Sequence, residues 1–158
     1  MRFLLWRWLA LVALVMALDQ ATKLMVLGSF RLMESVAVTP FFNLVLVFNS
    51  GAAFSFLAGA GGWQKWFFVV LSLSISAWLL VMLRRHAGER LLPASLALIL
   101  GGALGNVIDR LRFDAVVDFL DFYAAGYHWP AFNVADSAIT VGVALMLVHQ
   151  FRCGRESQ

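Results

Sequence analysis

Four apolar stretches limit what this chain can fold into. They run from about Leu4 to Leu27, Trp63 to Leu83, Leu91 to Arg110 and Val134 to Phe151. A bilayer core is crossed by roughly 20 helical residues, and these lengths suit that task. The whole sequence is 62% hydrophobic and 13% charged over 158 residues, which leaves too little polar surface to cover a water-soluble fold of this size. The expectation is an integral membrane protein, mainly α, with four transmembrane helices in one domain over residues 1–158. Pro93 falls in the first turn of the third span, where a missing N–H does no harm. Arg7 is near enough to the end of the first span to snorkel into the headgroups.

The net charge of +3 reads as topology rather than as affinity for nucleic acid. Arg2 and Arg7 flank the first stretch, Arg84, Arg85 and Arg90 lie between the middle two, and Arg152 and Arg155 follow the last. Asp19, Glu34, Asp109, Asp114, Asp118, Asp121 and Asp136 fall in the alternate segments. That is the positive-inside pattern, and it puts both termini on the cytoplasmic side. The lone Cys153 has no partner for an internal disulfide and falls beside the same face, where a reduced thiol is expected. Residues 1 to about 21 imitate a signal peptide, but apolar character continues through Leu24–Leu27, so an uncleaved first helix is predicted.

The uncharged run Ser35–Gly62 is apolar enough to suggest a fifth span. Thr39-Pro40, Asn49-Ser50-Gly51 and Gly59–Gly62 punctuate it, and Phe41–Phe48 is rich in β-branched and aromatic residues. A fifth span would also put the termini on opposite sides. A small β element over about 30–60, lying on the outer membrane surface, is expected instead. The other outer segment, Leu111–Phe132, carries Phe113, Phe119, Phe122, Tyr123, Tyr127, His128 and Trp129, an interfacial composition expected to form a loop or helical lid.

Ionisable groups at membrane depth are costly, and several here fall at one edge of the bilayer. Asp19 and Lys23, four apart, share a helix face, as do Asn106, Asp109 and Arg110. Gly101 and Gly105 form a small-xxx-small pair that admits a neighbouring helix. Asp118 sits in Val116-Val117-Asp118-Phe119, and Asn133 and Asp136 open the last span. Taken singly, these fit an ion pair at a helix end, a loop acid or a helix cap. Taken together at one edge, they point to a single site.

Two carboxylates held close in a partly dry site cannot both ionise easily, so one keeps a proton. The ionised member can take a proton from water while the protonated one hydrogen-bonds a scissile carbonyl, with no metal or covalent nucleophile. Other peptidase chemistries fit worse. No His-Glu zinc motif or Gly-x-Ser-x-Gly elbow occurs, and His86, His128 and His149 are scattered across both sides. A transporter or channel using the same acids would need polar residues through the bilayer. The inner halves of the spans offer few, Ser72, Ser74 and Ser76 in the second and Ser95 in the third. A non-catalytic assembly factor would leave the two acidic segments without a purpose.

Five motifs, in order, match a known family. Asp19-Gln20-Ala21-Thr22-Lys23, Asn49-Ser50-Gly51-Ala52-Ala53-Phe54, the run from Gly101 to Arg110, Val116-Val117-Asp118-Phe119 and Phe132-Asn133-Val134-Ala135-Asp136-Ser137 span nearly the whole chain. The sequence resembles the bacterial lipoprotein signal peptidases (signal peptidase II), four-span aspartic peptidases of the bacterial cytoplasmic membrane. The resemblance implies a multi-pass enzyme that cuts diacylglyceryl-modified prolipoproteins just before the lipid-modified cysteine, with its site at the outer face. It implies Asp118 and Asp136 as the catalytic dyad, and Asn49, Gly51, Asn106, Arg110 and Asn133 as residues that orient the dyad and the substrate. Asp19 and Lys23 would steady the first span behind the site, and Asp109 would pair with Arg110 or with a nearby backbone group. The Phe42–Phe56 element and the aromatic outer segment would form a cradle and lid. No cofactor or metal is expected, and the working unit is expected to be a monomer in membrane lipid.

Overall fold

The computed structural model describes residues 2–51 and 62–156; the far half of the expected β element and the side chain of Cys153 lie outside the described residues. Four helices carry the chain back and forth: α1 (Arg2–Ser29), α2 (Gln64–Arg85), α3 (Leu91–Phe113) and α4 (Val134–Glu156). Each is long and apolar enough to cross a membrane. The hydrogen-bonded backbone of a helix is what allows such segments to leave water. Four strands gather at one end of the bundle: β1 (Ser35–Thr39), β2 (Phe42–Asn49), β3 (Val116–Ala124) and β4 (Tyr127–His128).

The central helix is α3, which packs against α1, α2 and α4. Leu96, Ala97, Ile99 and Leu100 meet Val12 of α1 and Leu79 and Leu83 of α2 in one buried cluster. Lipid supplies no hydrophobic drive between helices, so close backbone approach matters more than apolar area. Gly101 and Gly105 provide that approach on the α1 side. A Cβ at Gly101 would lie 2.8 Å from the Val15 Cβ, and one at Gly105 would lie 2.7 Å from Asp19 Oδ2. Gly102 does the same for α4, since a Cβ there would come within 2.4 Å of the Ala135 carbonyl oxygen. The outward face of α2 presents Trp66, Val70, Leu73 and Trp78 to the surroundings, as a lipid-facing helix should.

Much of the segment expected as a loop or helical lid, Leu111–Phe132, is instead strand: β3 and β4 take Val116–Ala124 and Tyr127–His128. Its run Val116-Val117-Asp118-Phe119-Leu120-Asp121-Phe122-Tyr123 is dense in residues that fit a pleated, half-buried surface. Asp114, in the left-handed conformation at φ 61°, ends α3 and turns the chain into β3. Ala125 (φ 50°) and Gly126 (φ 82°) then make the tight turn into β4. All pairings are antiparallel, in the order β1-β2-β3-β4. Asn43 stands opposite Asp121 and Val47 opposite Asp118, with a register shift between Leu44 and Val47. Val26 of α1, Leu46 of β2 and Val117 and Phe119 of β3 form a second buried cluster that fixes the sheet to the bundle.

Gly102→Ala is expected to destabilise the protein by roughly 1–3 kcal/mol, because the added methyl meets backbone rather than a movable side chain. Gly88→Ala, at a position with nothing within 4 Å, should leave the melting temperature nearly unchanged. Thermal unfolding of both variants in detergent checks the contrast.

Candidate active site

The site is built outward from a buried lysine on α1. Lys23 is 1% exposed, and its ammonium contacts Asp19 Oδ2 at 2.8 Å, Asp109 Oδ2 at 2.7 Å and Asn106 Oδ1 at 3.0 Å. The spacing of Asp19 and Lys23 gives the intrahelical pair, and the missing side chain at Gly105 leaves room for it against α3. The two carboxylates then reach the backbone of other elements. Ala135 N–H donates to Asp19 Oδ1 at 2.9 Å, and Val117 N–H donates to Asp109 Oδ2 at 3.1 Å. Asp109 therefore pairs with Lys23 and a backbone amide; Arg110 turns the other way. Gln20 completes the brace by donating to Asp109 Oδ1 at 2.9 Å and to the Gly105 carbonyl at 3.3 Å.

Above this brace, two asparagines face the dyad. A lysine can only donate, so the atom of Asn106 that faces Lys23 must be its oxygen. Its amide nitrogen is thereby turned toward Asp136 and donates to Oδ1 at 2.7 Å. Asn133 precedes the first helical residue of α4, and its Oδ1 accepts from the Asp136 N–H at 2.9 Å, the geometry of a helix N-cap. Its Nδ2 donates to Asp118 Oδ1 at 2.7 Å. Capping and orienting are thus performed by the same side chain. Asn49, at the end of β2, donates to Asp118 Oδ2 at 3.2 Å, while its own Oδ1 accepts from Gly51 N–H at 3.0 Å in a local turn.

Asp118 thus has both oxygens occupied by amide donors while being only 2% exposed. Burial pushes its carboxyl up to about 7, and the charge of Asp136 pushes in the same direction. The amides of Asn49 and Asn133 and the Lys23 charge oppose that rise without cancelling it.

Arg110 leans across the cleft from α3. It donates to the Gly51 carbonyl at 3.2 Å and to the Asn106 carbonyl at 3.4 Å, and its guanidinium lies 5.1 Å from the Phe68 ring centroid. Its Nε is buried and has no hydrogen-bond partner among the described residues. Asp118, Asp136, Asn49, Gly51, Asn106 and Arg110 all line one cleft of about 810 Å³. Val47, Phe48 and Trp129–Phe132 form apolar walls at the sheet, and Ile139 and Val141 continue the wall down α4. The hydroxyls of Ser137 and Thr140 bond back to the carbonyls of Asn133 and Asp136, so this face of α4 is effectively apolar. No group of three or more His, Cys, Asp or Glu side chains arranged to hold a metal occurs among the described residues.

Of the residues singled out for the site in the sequence, Asn49, Gly51, Asn106, Arg110, Asp118 and Asp136 line the cleft, Asn133 and Lys23 contact groups that line it, and Asp19 and Asp109 stand one layer behind, on Lys23. Gln20 was quoted only as part of a motif and given no role. Its signal is the same as that of its neighbours, a polar side chain in an otherwise apolar helix. The Trp129–Phe132 wall carried no pattern that separates it from an aromatic interfacial loop.

A family model described as Signal peptidase (SPase) II matches residues 11–152. The chain belongs to the signal peptidase II family. A lipoprotein signal peptidase of Azoarcus sp. (strain BH72) is 61% identical over 148 residues, covering 94% of this chain and 84% of that relative. One from Cupriavidus necator is 57% identical over 145 residues, covering 92% and 83%. Among solved structures, a bacterial membrane enzyme determined by the in meso method at 2.3 Å superposes with a TM-score of 0.87 at 30% identity, covering 96% of this chain and 92% of that one. A second, at 1.9 Å, gives 0.74 at 31% identity, covering 91% and 92%.

Signal peptidase II membership and the brace together give a stability prediction. Removing one partner of a buried ionic cluster strands the others, at a cost of about 3–5 kcal/mol. Lys23→Met should therefore lose most folded protein. Adding Asp19→Asn and Asp109→Asn to it should recover a large part. Yield of monodisperse protein and thermal unfolding measure both effects.

Proposed function

We propose that this chain is an aspartic endopeptidase of the bacterial cytoplasmic membrane. It removes the signal peptide from diacylglyceryl-modified prolipoproteins, cutting just before the lipid-modified cysteine. The observation that carries this reading is the pairing of Asp118 on β3 with Asp136 on α4, each held by its own asparagine in one cleft. Membership of the signal peptidase II family and the names of its relatives support the substrate class.

The mechanism follows from the donors. One proton is shared by the dyad. The ionised carboxylate takes a proton from water as that water attacks the scissile carbonyl, and the protonated one supports the developing charge on the carbonyl oxygen. Asn106 and Asn133 hold the carboxylates at fixed angles, so little reorganisation is needed during the reaction. Asn49 and Gly51 border the cleft at the sheet, and Arg110, whose Nε has no hydrogen-bond partner among the described residues, brings a positive charge to the same cleft for the substrate backbone. The apolar face of α4 accommodates the signal helix or the acyl chains, which confine the scissile bond to one depth.

Arg84, Arg85 and Arg90 sit at the end of the bundle away from the sheet, and Arg7 donates there to the Glu89 carbonyl. That distribution supports cytoplasmic termini and a dyad at the outer face. Residues 1–158 act as one peptidase domain, a reading that the family match over residues 11–152 supports, and the working unit is a monomer in lipid.

The test is cleavage of a lipidated prolipoprotein by purified protein in detergent, followed by mass. Asp118→Asn and Asp136→Asn should each lower kcat by roughly a hundred- to ten-thousand-fold, and a chelator should have no effect. Full activity in either variant would sink the dyad. A further consequence concerns pH. The unfolded Asp118 carboxyl ionises near 3.8 and the folded one at about 7, so its burial costs increasing stability as pH rises between those values. Asp118→Asn should therefore unfold at a higher temperature than the native protein at pH 8, with the difference shrinking toward pH 4. Cleavage by the native protein should fall as pH rises past about 7, where the shared proton is lost.

A further inference from the structure

Away from the dyad, the carboxylate of Asp121 is held by side chains from two neighbouring strands. Asp121 of β3 is buried, and its Oδ2 accepts from Asn43 Nδ2 of β2 at 2.8 Å. Both its oxygens lie 2.9 Å from His128 Nδ1 of β4. A carboxylate only accepts, so that nitrogen carries the proton in either charge state of the ring. The imidazole also stacks on Tyr123, with centroids 5.1 Å apart and planes 16° from parallel. Tyr123 in turn donates its hydroxyl to the Thr39 carbonyl of β1 at 3.4 Å. One side-chain network therefore crosses all four strands.

Its position explains its use. β4 is only two residues long, and a hairpin that short is marginal by itself. Yet the chain leaving it, Trp129–Phe132, walls the cleft and runs directly into Asn133. The backbone is fixed where Trp129 N–H donates to the Phe122 carbonyl at 2.7 Å and where Phe132 pairs with Leu120. Pro130 and Ala131 span the gap between those points and face the cleft.

We propose that Asp121 and His128 are positioning residues for substrate binding. Their pair touches none of the reacting groups; it fixes the Trp129–Phe132 wall against which the substrate packs. This rests on the reading of the cleft as a prolipoprotein site. The dyad itself is held by Asn49, Asn106 and Asn133, so the pair acts on binding rather than on the chemical step.

The experiment measures initial rates against lipidated prolipoprotein concentration for the native protein, His128→Ala and His128→Gln. Hydrogen exchange of the segment 127–132 is followed in the same samples. His128→Ala should raise KM about ten-fold, as expected for a lost hydrogen bond to a charged group, with kcat changed by less than about two-fold. Exchange over 127–132 should quicken while that over 134–140 stays the same. His128→Gln keeps a donor able to reach Asp121 and should restore KM to within about three-fold of native. A native KM in His128→Ala, a loss confined to kcat, or no rescue by glutamine overturns the proposal. Should His128→Ala fail to fold, Asp121→Asn keeps the shape and removes the charge. It should raise KM in the same direction, and an unchanged KM there overturns the proposal equally. If the native protein cleaves nothing, the reading of function fails. The exchange data then decide whether the pair fixes the wall, and unchanged exchange overturns it.

Discussion

One ammonium group organises this structure. Lys23 is enclosed by two carboxylates and an amide oxygen, and each of those three groups is committed to something else. Asp19 holds the start of α4 through Ala135, Asp109 holds the start of β3 through Val117, and Asn106 holds Asp136. Burying a charge in low dielectric is expensive unless it is fully paired, so the cluster is stable only with every partner in place. That requirement fixes three helices and a strand relative to one another with a tolerance set by hydrogen-bond lengths. Greasy packing between helices in lipid would not do so.

The acids of the dyad come from different kinds of element, and their surroundings differ accordingly. Asp136 lies in the first turn of α4, where its Oδ1 accepts from the Asn106 amide. Asp118 projects from a strand with Asn49 and Asn133 on its two oxygens, and burial still raises it to about 7. Two carboxylates lining one cleft are suited to sharing a proton, because their like charges disfavour ionising both. The amides that hold them are neutral, so orientation is supplied without adding charge to a site that already has too much.

The spans were legible because length and hydropathy leave a helix no alternative in lipid, and α1, α2, α3 and α4 extend over all four expected stretches. The polar residues were legible for the complementary reason: Asp19, Lys23, Asn106, Asp109 and Asp136 are out of place in such helices unless they serve one another. Three things were not legible. The segment from Val116 to Ala124 has the residues of a strand, but its partner β2 lies 67 positions or more upstream at Asn49, and local pattern carries no information about pairing across two helices. The outer segment's aromatics suit a membrane interface and a sheet equally, so composition alone does not place Val116–Ala124 in a strand. The role of Gln20 depends on Gly105 and Asp109 of α3, and spacing along α1 does not show which helix approaches it.

The strand order has a consequence for biosynthesis. β2 and β3 are neighbours in the sheet, yet α2 and α3 are threaded between them in the chain. As the polypeptide emerges, the β1–β2 hairpin must wait, its inner edge open, until two further spans have been laid into the bilayer and β3 arrives. Asp136 arrives later still, at the head of the last helix. A half-made chain therefore lacks one of the two carboxylates of the cleft, and the cleft is complete only when the final segment has been threaded home.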